Sequence, residues 1–143
     1  DVQVSRSVTQ LLEEEQGSLN LQKLDEFRKN VDTHITAFRQ KLEEYKKDNL
    51  KVAGYGAPAR VATICNYGQI DQSLIEHIVD DSPLKQNRFS PGTHIPIVAK
   101  SHLDLQKPDV LVVFAYEYFD DIKKKTADGG YRYLIPIPPR EVV

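Results

Sequence analysis

The sequence contains no methionine, no tryptophan and a single cysteine, Cys65. One cysteine cannot form an internal disulfide or a cysteine-rich zinc site, and it favours a reducing cytoplasm as the location of the protein. Because the first residue is Asp1 rather than methionine, we expect the chain to be a piece of a longer protein. Part of the chemistry is then expected on the missing sequence.

The chain also lacks an excess of basic charge and a long apolar run. Nineteen lysines and arginines stand against 21 aspartates and glutamates, which gives a formal net charge of −2, whereas a nucleic-acid binder usually carries a basic excess or stripe. No apolar run approaches the ~20 residues of a membrane-spanning helix. We therefore expect neither a nucleic acid nor a membrane as partner. The length of 143 residues suffices for one domain with a real core.

Glycine and proline are scarce in the first third of the chain, since all eight prolines and six of the seven glycines lie after residue 50. Residues 5–16 predict a short helix that ends at Gly17, and residues 21–48 predict a long second helix. The apolar residues of the second helix recur at spacings of three and four and form one stripe: Leu21, Leu24, Phe27, Val31, Ile35, Phe38, Leu42 and Tyr45. We therefore predict that residues 1–49 are a helical connector that packs on the sheet domain or on a neighbouring domain. A homodimeric coiled coil is the alternative.

Residues 50–143 alternate between strand and helix patterns and are predicted to form a second domain. The predicted strands are residues 51–54, 75–79, 94–98, 109–116 and 131–137, and helices are predicted to begin at Pro58 and Tyr118. This alternation predicts an α/β fold with a Rossmann-like, mostly parallel sheet of about five strands, flanked by helices, in the order 3-2-1-4-5. The long N-terminal helical segment precedes it.

The turn after the first predicted strand reads Gly54-Tyr55-Gly56-Ala57-Pro58-Ala59-Arg60. A strand that turns through glycines into a helix directs free backbone N–H groups and the positive end of a helix dipole at one point, which suits a phosphate or another anion. Gly54, Gly56 and Ala59 match the loose form of the G-x-G-x-x-G/A motif of dinucleotide-binding proteins. The alternative is that the glycines serve only the conformation of the turn.

Further candidate residues follow the second predicted strand. Asp80 is interpreted either as an acceptor for a sugar hydroxyl or as a cap of the turn at Ser82. The long segment 81–94 contains Lys85 and Arg88, which suit a pyrophosphate or a carboxylate. A solvated loop with ordinary surface charges is the alternative.

The histidines and the cysteine do not form a catalytic arrangement in the sequence. His94 lies near the predicted ligand edge, whereas His34, His77 and His102 are predicted at surface or helix-end positions, with His77 on a helix. Cys65 is predicted to be a small core residue rather than a nucleophile. The spacing of these residues indicates no metal site.

Several motifs together resemble one known family. They are the glycine turn 54–60, Asn66-Tyr67, the run 81–97 with its Lys-Gln-Asn-Arg and Pro-Gly-Thr-His-Ile-Pro segments, and Pro136-Ile137-Pro138. They resemble the C-terminal domain of SAM-dependent C-methyltransferases, which methylate a ring carbon of nucleotide-linked deoxysugars. The resemblance extends from about residue 7 to residue 138. One departure is Ala59-Arg60, where the family commonly has Ala-Lys.

The resemblance implies a domain that supplies substrate-binding surface and carries no catalytic residue. The nucleotide sugar would lie between this domain and a SAM-binding domain of the same protein. SAM and zinc would be bound by the missing N-terminal part, and no cofactor is expected on this domain. A homodimer is a further partner that we keep as an alternative. Together with Asp80, the substrate-binding residues expected by motif position are Gly54, Tyr55, Gly56, Ala57, Ala59, Lys85, Arg88, Pro91, Gly92, Thr93 and His94.

Two other classes of function remain open at this point. The first is an independent dinucleotide-binding enzyme, which would need a fuller glycine motif and a residue that assists hydride transfer. The second is a non-catalytic docking or dimerisation module whose pocket is vestigial.

Overall fold

The computed structural model describes residues 4–142. The chain divides into two compact units, one that ends at Thr33 and one that begins at His34. Helix α1 (Arg6–Ser18) lies in the first unit, and helix α2 (Leu21–Lys47) begins in the first and ends in the second. Within the described part of the chain, no helix combines the length and the apolar character needed to cross a membrane. The domain boundary proposed after residue 49 stays a prediction.

The first unit exposes its apolar side chains. Helix α1 has no buried residue, and it extends beyond Gly17 to Ser18, so the predicted end at that glycine is wrong. The bond from the Leu19 N–H to the Glu15 carbonyl, 2.7 Å long, closes the last turn. Val31 is half-buried, whereas eight large apolar side chains of this unit are 46–86% exposed: Val4, Val8, Leu11, Leu12, Leu19, Leu21, Leu24 and Phe27. We call these eight residues the apolar stripe. Only Leu21, Leu24 and Phe27 of this set also belong to the row of apolar residues predicted along the second helix.

The second unit is built on one seven-stranded sheet in the order β3-β4-β2-β1-β5-β6-β7. Its helices besides the end of α2 are α3 (Ala59–Tyr67), α4 (His102–Leu105) and α5 (Phe119–Thr126). The strands in chain order are β1 (Val52–Tyr55), β2 (Ile78–Val79), β3 (Arg88–Phe89), β4 (Pro96–Val98), β5 (Val110–Val113), β6 (Arg132–Pro136) and β7 (Pro139–Val142).

Five of the strands are the predicted ones, and they are parallel in the predicted order. The pairings β4–β2, β2–β1, β1–β5 and β5–β6 are all parallel, so the α/β class is confirmed. The prediction of about five mostly parallel strands missed β3 and β7, which pair antiparallel at the two edges. Both Arg88 and Phe89 of β3 are exposed, and β7 begins with Pro139 and has no buried residue. Edge strands of this kind lack the apolar pattern that reveals a strand in a sequence.

Helices α4 and α5 cover one face of the sheet. Side chains of alternate residues in β1, β5 and β6 point to this face, as the two-residue period of a strand requires. They form a buried cluster with Leu103 of α4 and Ile122 of α5, and the cluster contains Ala53, Tyr55, Val79, Leu111, Val113, Tyr133 and Ile135.

The other face packs against the second half of α2. The ring of Phe114 meets Phe38 of α2 edge to face, with 6.3 Å between the ring centroids. Gly54 leaves room for the Phe114 ring, because an added Cβ at Gly54 would lie 3.0 Å from Phe114 and 3.0 Å from Ile78. The first glycine of the turn is therefore required by the packing of the core.

Polar contacts also hold α2 against its neighbours in the second unit. The Arg39 guanidinium donates to the carbonyl oxygen of Gly68 at 3.0 Å, at the C-terminal end of α3. The Glu141 carboxylate of β7 accepts from the Tyr45 hydroxyl at 2.8 Å and from Lys41 Nζ at 3.0 Å. The Tyr45 hydroxyl and the Lys41 ammonium hold the pKa of Glu141 below its ordinary value.

Two titratable side chains are buried in the core. Cys65 is fully buried, as predicted, and burial raises the pKa of its thiol to about 12. His77 is 3% exposed and directly precedes β2, so its predicted surface position on a helix is wrong. The residues shortly before it, 72–74, form a turn. Burial and the neighbouring His102, whose ring centroid is 4.7 Å away, lower the pKa of His77 to about 4.

We expect His77 to make the stability of the fold depend on pH. As pH falls from the ordinary imidazole pKa of 6.5 to about 4, the unfolded chain binds a proton at this side chain and the folded chain does not. The contribution of His77 to the free energy of unfolding is therefore fully present above pH 6.5, and it falls by about 3 kcal/mol toward pH 4.

Urea unfolding of the wild type and of His77→Phe at pH 7.5, 5.5 and 4.5 measures this contribution. The variant should lose less stability between pH 7.5 and pH 4.5 than the wild type, and His34→Gln, at a half-buried position of α2, should match the wild type. If the free energy of unfolding changed equally with pH in the wild type and in His77→Phe, the buried imidazole would not contribute to the pH dependence of stability.

Candidate functional site

A cleft of about 280 Å³ lies at the carboxyl edge of the parallel sheet. Ligands of open α/β sheets bind at this edge, next to the strand where the order reverses, and here that strand is β1. The walls come from the turn after β1, from the segment after β2, and from the start of α5. The lining residues are Tyr55, Gly56, Ala57, Pro58, Asp80, Asp81, Lys85, Ala115, Tyr118, Asp121, Ile122 and Lys125.

Gly56 brings the turn after β1 into contact with the end of β5. Its φ is +82°, a backbone conformation that favours glycine. An added Cβ would lie 2.5 Å from the Cβ of Ala115. The Gly56 N–H donates to the Val79 carbonyl at 2.7 Å and so continues the pairing with β2. Conformation and close packing therefore both account for this glycine.

The buried carboxylate of Asp80 lies against the turn that leads into α3. One oxygen accepts from the Ala57 N–H at 2.7 Å and from Lys85 Nζ at 3.2 Å, and the other accepts from the Ser82 N–H at 2.9 Å. Asp80 is 6% exposed. A backbone N–H that a bound phosphate would use at such a turn is thus taken by an internal anion.

Asp81 links β1 to α5. Its carboxylate accepts from the Tyr55 hydroxyl at 2.9 Å and from Lys125 Nζ at 2.8 Å. Burial acts to raise the pKa of Asp81, but Lys125 and Tyr55 outweigh it, and the pKa lies below its ordinary value. Burial and then the hydrogen bond to Asp81 raise the pKa of Tyr55. The ionised carboxylate and the neutral phenol are therefore the stable forms.

Arg60, in the first turn of α3, contacts two residues that follow β5. Its guanidinium lies over the ring of Tyr116, 4.4 Å from the centroid, and forms an ion pair with Glu117. This ion pair holds the pKa of Glu117 below its ordinary value. Much of the charge of Arg60 is thus balanced inside the domain.

Some of the sequence-predicted site residues line the cleft, and the others lie outside its lining. Tyr55, Gly56, Ala57, Asp80 and Lys85 line the cleft. Gly54 lies inside β1 and packs on the core, and Ala59 is the first residue of α3. Arg88 lies on the edge strand β3, where its Nε donates to the Leu84 carbonyl at 2.8 Å.

The predicted residues Pro91, Gly92, Thr93 and His94 do not line the cleft. They form a turn that precedes the amino end of β4 and lies against the C-terminal part of α3. Asn66 Nδ2 donates to the Pro91 carbonyl at 2.9 Å, and an added Cβ at Gly92, whose φ is +82°, would lie 2.0 Å from Asn66 Oδ1. A binding role for this turn stays a prediction.

Sequence reasoning missed the contribution of α5 to the cleft. Tyr118, Asp121 and Lys125 line it from this side. Asp121 and Lys125 are four residues apart and therefore lie on one face of α5, and Tyr118 is the residue directly before this helix. That spacing, directly after the strongest predicted strand, is the signal that could have found them.

The described residues, 4–142, contain no group of three or more histidine, cysteine, aspartate or glutamate side chains that could hold a metal ion.

The fold and this site define an α/β domain with a cleft at the carboxyl edge of its parallel strands. The family described as C-methyltransferase C-terminal domain matches residues 1–138, so the chain belongs to that family. The chain is also similar to the C-methyltransferase NovU of Streptomyces niveus, with 28% identity over 148 residues. That match covers 100% of this chain and 35% of NovU. The chain thus spans about a third of the length of this relative.

Substitution of Gly56 tests how closely the turn is packed. We expect Gly56→Ala to destabilise the fold by about 3 kcal/mol, because it combines a positive φ with a collision at Ala115. Gly130→Ala is the matched control: its φ is +64° and no atom lies within 4 Å of the added Cβ. It should cost only about 1 kcal/mol. Equal losses in urea unfolding would contradict the close contact.

Substitution of Asp80 tests whether its carboxylate organises the turn. Asp80→Asn replaces one acceptor oxygen by a donor, so either Ala57 or Ser82 loses its partner. We expect a loss of about 1–3 kcal/mol in the free energy of unfolding. Asp120→Asn, an exposed change on α5, should be neutral. A variant of Asp80 as stable as the wild type would show that the turn holds without this charge.

Proposed function

We propose that this domain supplies part of the substrate-binding surface of a SAM-dependent C-methyltransferase that acts on a nucleotide-linked sugar, and that it is not catalytic alone. The family membership supports the methyltransferase assignment. The cleft at the carboxyl edge of the sheet, where α/β domains bind ligands, supports the binding role. SAM and zinc are then held by other parts of the full protein, and the SAM-binding domain of that protein completes the site.

The state of the titratable groups in the cleft supports a binding role without catalysis. A general base must be free to accept a proton from the substrate, with a pKa near the working pH. The Tyr55 phenol has a raised pKa and donates to Asp81, and the Asp81 carboxylate is held by Lys125. Tyr55 and Asp81 are therefore hydrogen-bonded to each other, and Asp81 also to Lys125, so neither group is free to take a proton from a substrate.

The contacts of Asp80 argue against a stand-alone dinucleotide-binding enzyme. Such proteins place the pyrophosphate of the cofactor at the helix that follows the first strand. In this domain the Asp80 carboxylate lies there, on the Ala57 N–H. A second anion at the same place would be repelled.

The apolar stripe supports a docking role alongside substrate binding. Its eight side chains are at least 46% exposed, and an accumulation of exposed large apolar side chains usually marks a contact with another protein surface. We propose that the stripe contacts the SAM-binding domain of the same protein, with a homodimer as the alternative.

Titration calorimetry of the chain with UDP-glucose, dTDP-glucose, NAD and SAM tests the proposal. We expect a nucleotide sugar to bind, and NAD and SAM to bind at least about tenfold more weakly, a difference of about 1.4 kcal/mol. Tight NAD binding without nucleotide-sugar binding would favour the dinucleotide enzyme instead. Absence of binding by all four ligands would favour the docking module.

A further inference from the structure

The lysines that line the cleft are both paired with carboxylates. Lys85 Nζ lies 3.2 Å from Asp80, and Lys125 Nζ lies 2.8 Å from Asp81. Asp121 adds a third carboxylate to the lining, and its charge acts on Lys125, whose ammonium is bonded to Asp81. Three aspartates against two lysines leave the cleft with one net negative charge.

This charge balance disfavours a diphosphate inside the cleft. A phosphate group needs free cations or free backbone N–H groups, and its own negative charges are repelled by carboxylates at short range. The Ala57 N–H and the Lys85 ammonium both face Asp80. The anionic part of a nucleotide sugar is therefore expected outside this cleft.

The groups that remain open in the cleft suit a neutral ring with hydroxyl groups. Tyr118 exposes 66% of its surface, and its ring offers a flat apolar face against which the C–H groups of a sugar ring can lie. The Asp121 carboxylate has acceptor sites for hydroxyl donors. An aromatic face beside a carboxylate provides both contacts that a sugar ring needs.

A second hollow, of about 350 Å³, adjoins the cleft at Lys125, which lines both. Its other cations are Lys100 and Lys107, and its acids are Asp104 and Asp128. Among the described residues neither Lys100 nor Lys107 forms an ion pair. Lys100 acts on Asp81 only at longer range, so both ammonium groups can take a hydrogen-bond acceptor in this hollow.

We propose that the cleft binds the sugar ring of the nucleotide sugar, on Tyr118 and Asp121, and that the diphosphate lies on Lys100 and Lys107 in the adjoining hollow. This inference rests on the function proposed above and adds the orientation of the substrate. The ring in the cleft is either the hexose or the deoxyribose of the nucleotide, since both carry hydroxyl groups on an apolar ring.

Dissociation constants of dTDP-glucose and dTDP for the 143-residue chain and its variants test the orientation. We expect Asp121→Asn to weaken dTDP-glucose binding about tenfold, the effect of one lost hydrogen bond to a charged group. Lys100→Ala should weaken dTDP-glucose and dTDP by the same factor. Asp120→Asn on α5 and Lys124→Ala, whose side chains do not line either hollow, are the matched controls and should bind as the wild type does.

The outcomes separate this inference from the proposed function. If Asp121→Asn weakens dTDP-glucose alone, the hexose lies in the cleft; if it weakens dTDP as well, the deoxyribose lies there. Tighter binding by Asp121→Asn, or no change, overturns the inference while the proposed function stands, because removal of a carboxylate favours a diphosphate in the cleft. A wild-type chain that binds neither ligand overturns both.

Discussion

The carboxyl edge of this domain depends on one buried ion, the Asp80 carboxylate. It binds the Ala57 N–H of the turn after β1, the Ser82 N–H that follows β2, and the Lys85 ammonium. A buried charge is tolerated only where hydrogen bonds and counter-charges replace its hydration, and these three donors do so. The same contacts fix the backbone on two sides of the cleft. The amino end of α3 therefore keeps the electrostatic character of an anion site while the anion belongs to the protein.

This internal anion changes the meaning of the glycine motif. Gly54 makes room for Phe114, and Gly56 combines a positive φ with close contact to Ala115. Neither glycine needs a phosphate to explain it. A motif that resembles a dinucleotide fingerprint is thus compatible with a cleft in which each lysine of the lining is paired with a carboxylate of the protein.

The parts of the fold that could be predicted from the sequence have strong local signals. The run from Val110 to Val113 is buried on both faces, and the chirality of parallel crossovers sets the order of the five parallel strands. The edge strands β3 and β7 carry no such signal, because exposed residues gain little from burial. The path of residues 91–94 depends on contacts with Asn66, which no local pattern reveals. In the site, the glycine turn and Asp80 could be identified from the sequence. The contribution of α5 could be recognised only from the fold, because the sheet places α5 beside that turn.

The contact between Gly56 and Ala115 has a mechanical consequence. The backbone of the turn after β1 touches the end of β5 without an intervening side chain, and α5 begins a few residues later. The turn after β1 and the segment after β5 therefore cannot move apart by a change of side-chain rotamer, because only the methyl group of Ala115 lies between them. The backbone of these two walls of the cleft is therefore ordered beforehand, which lowers the entropy that would be lost if a ligand were bound between them.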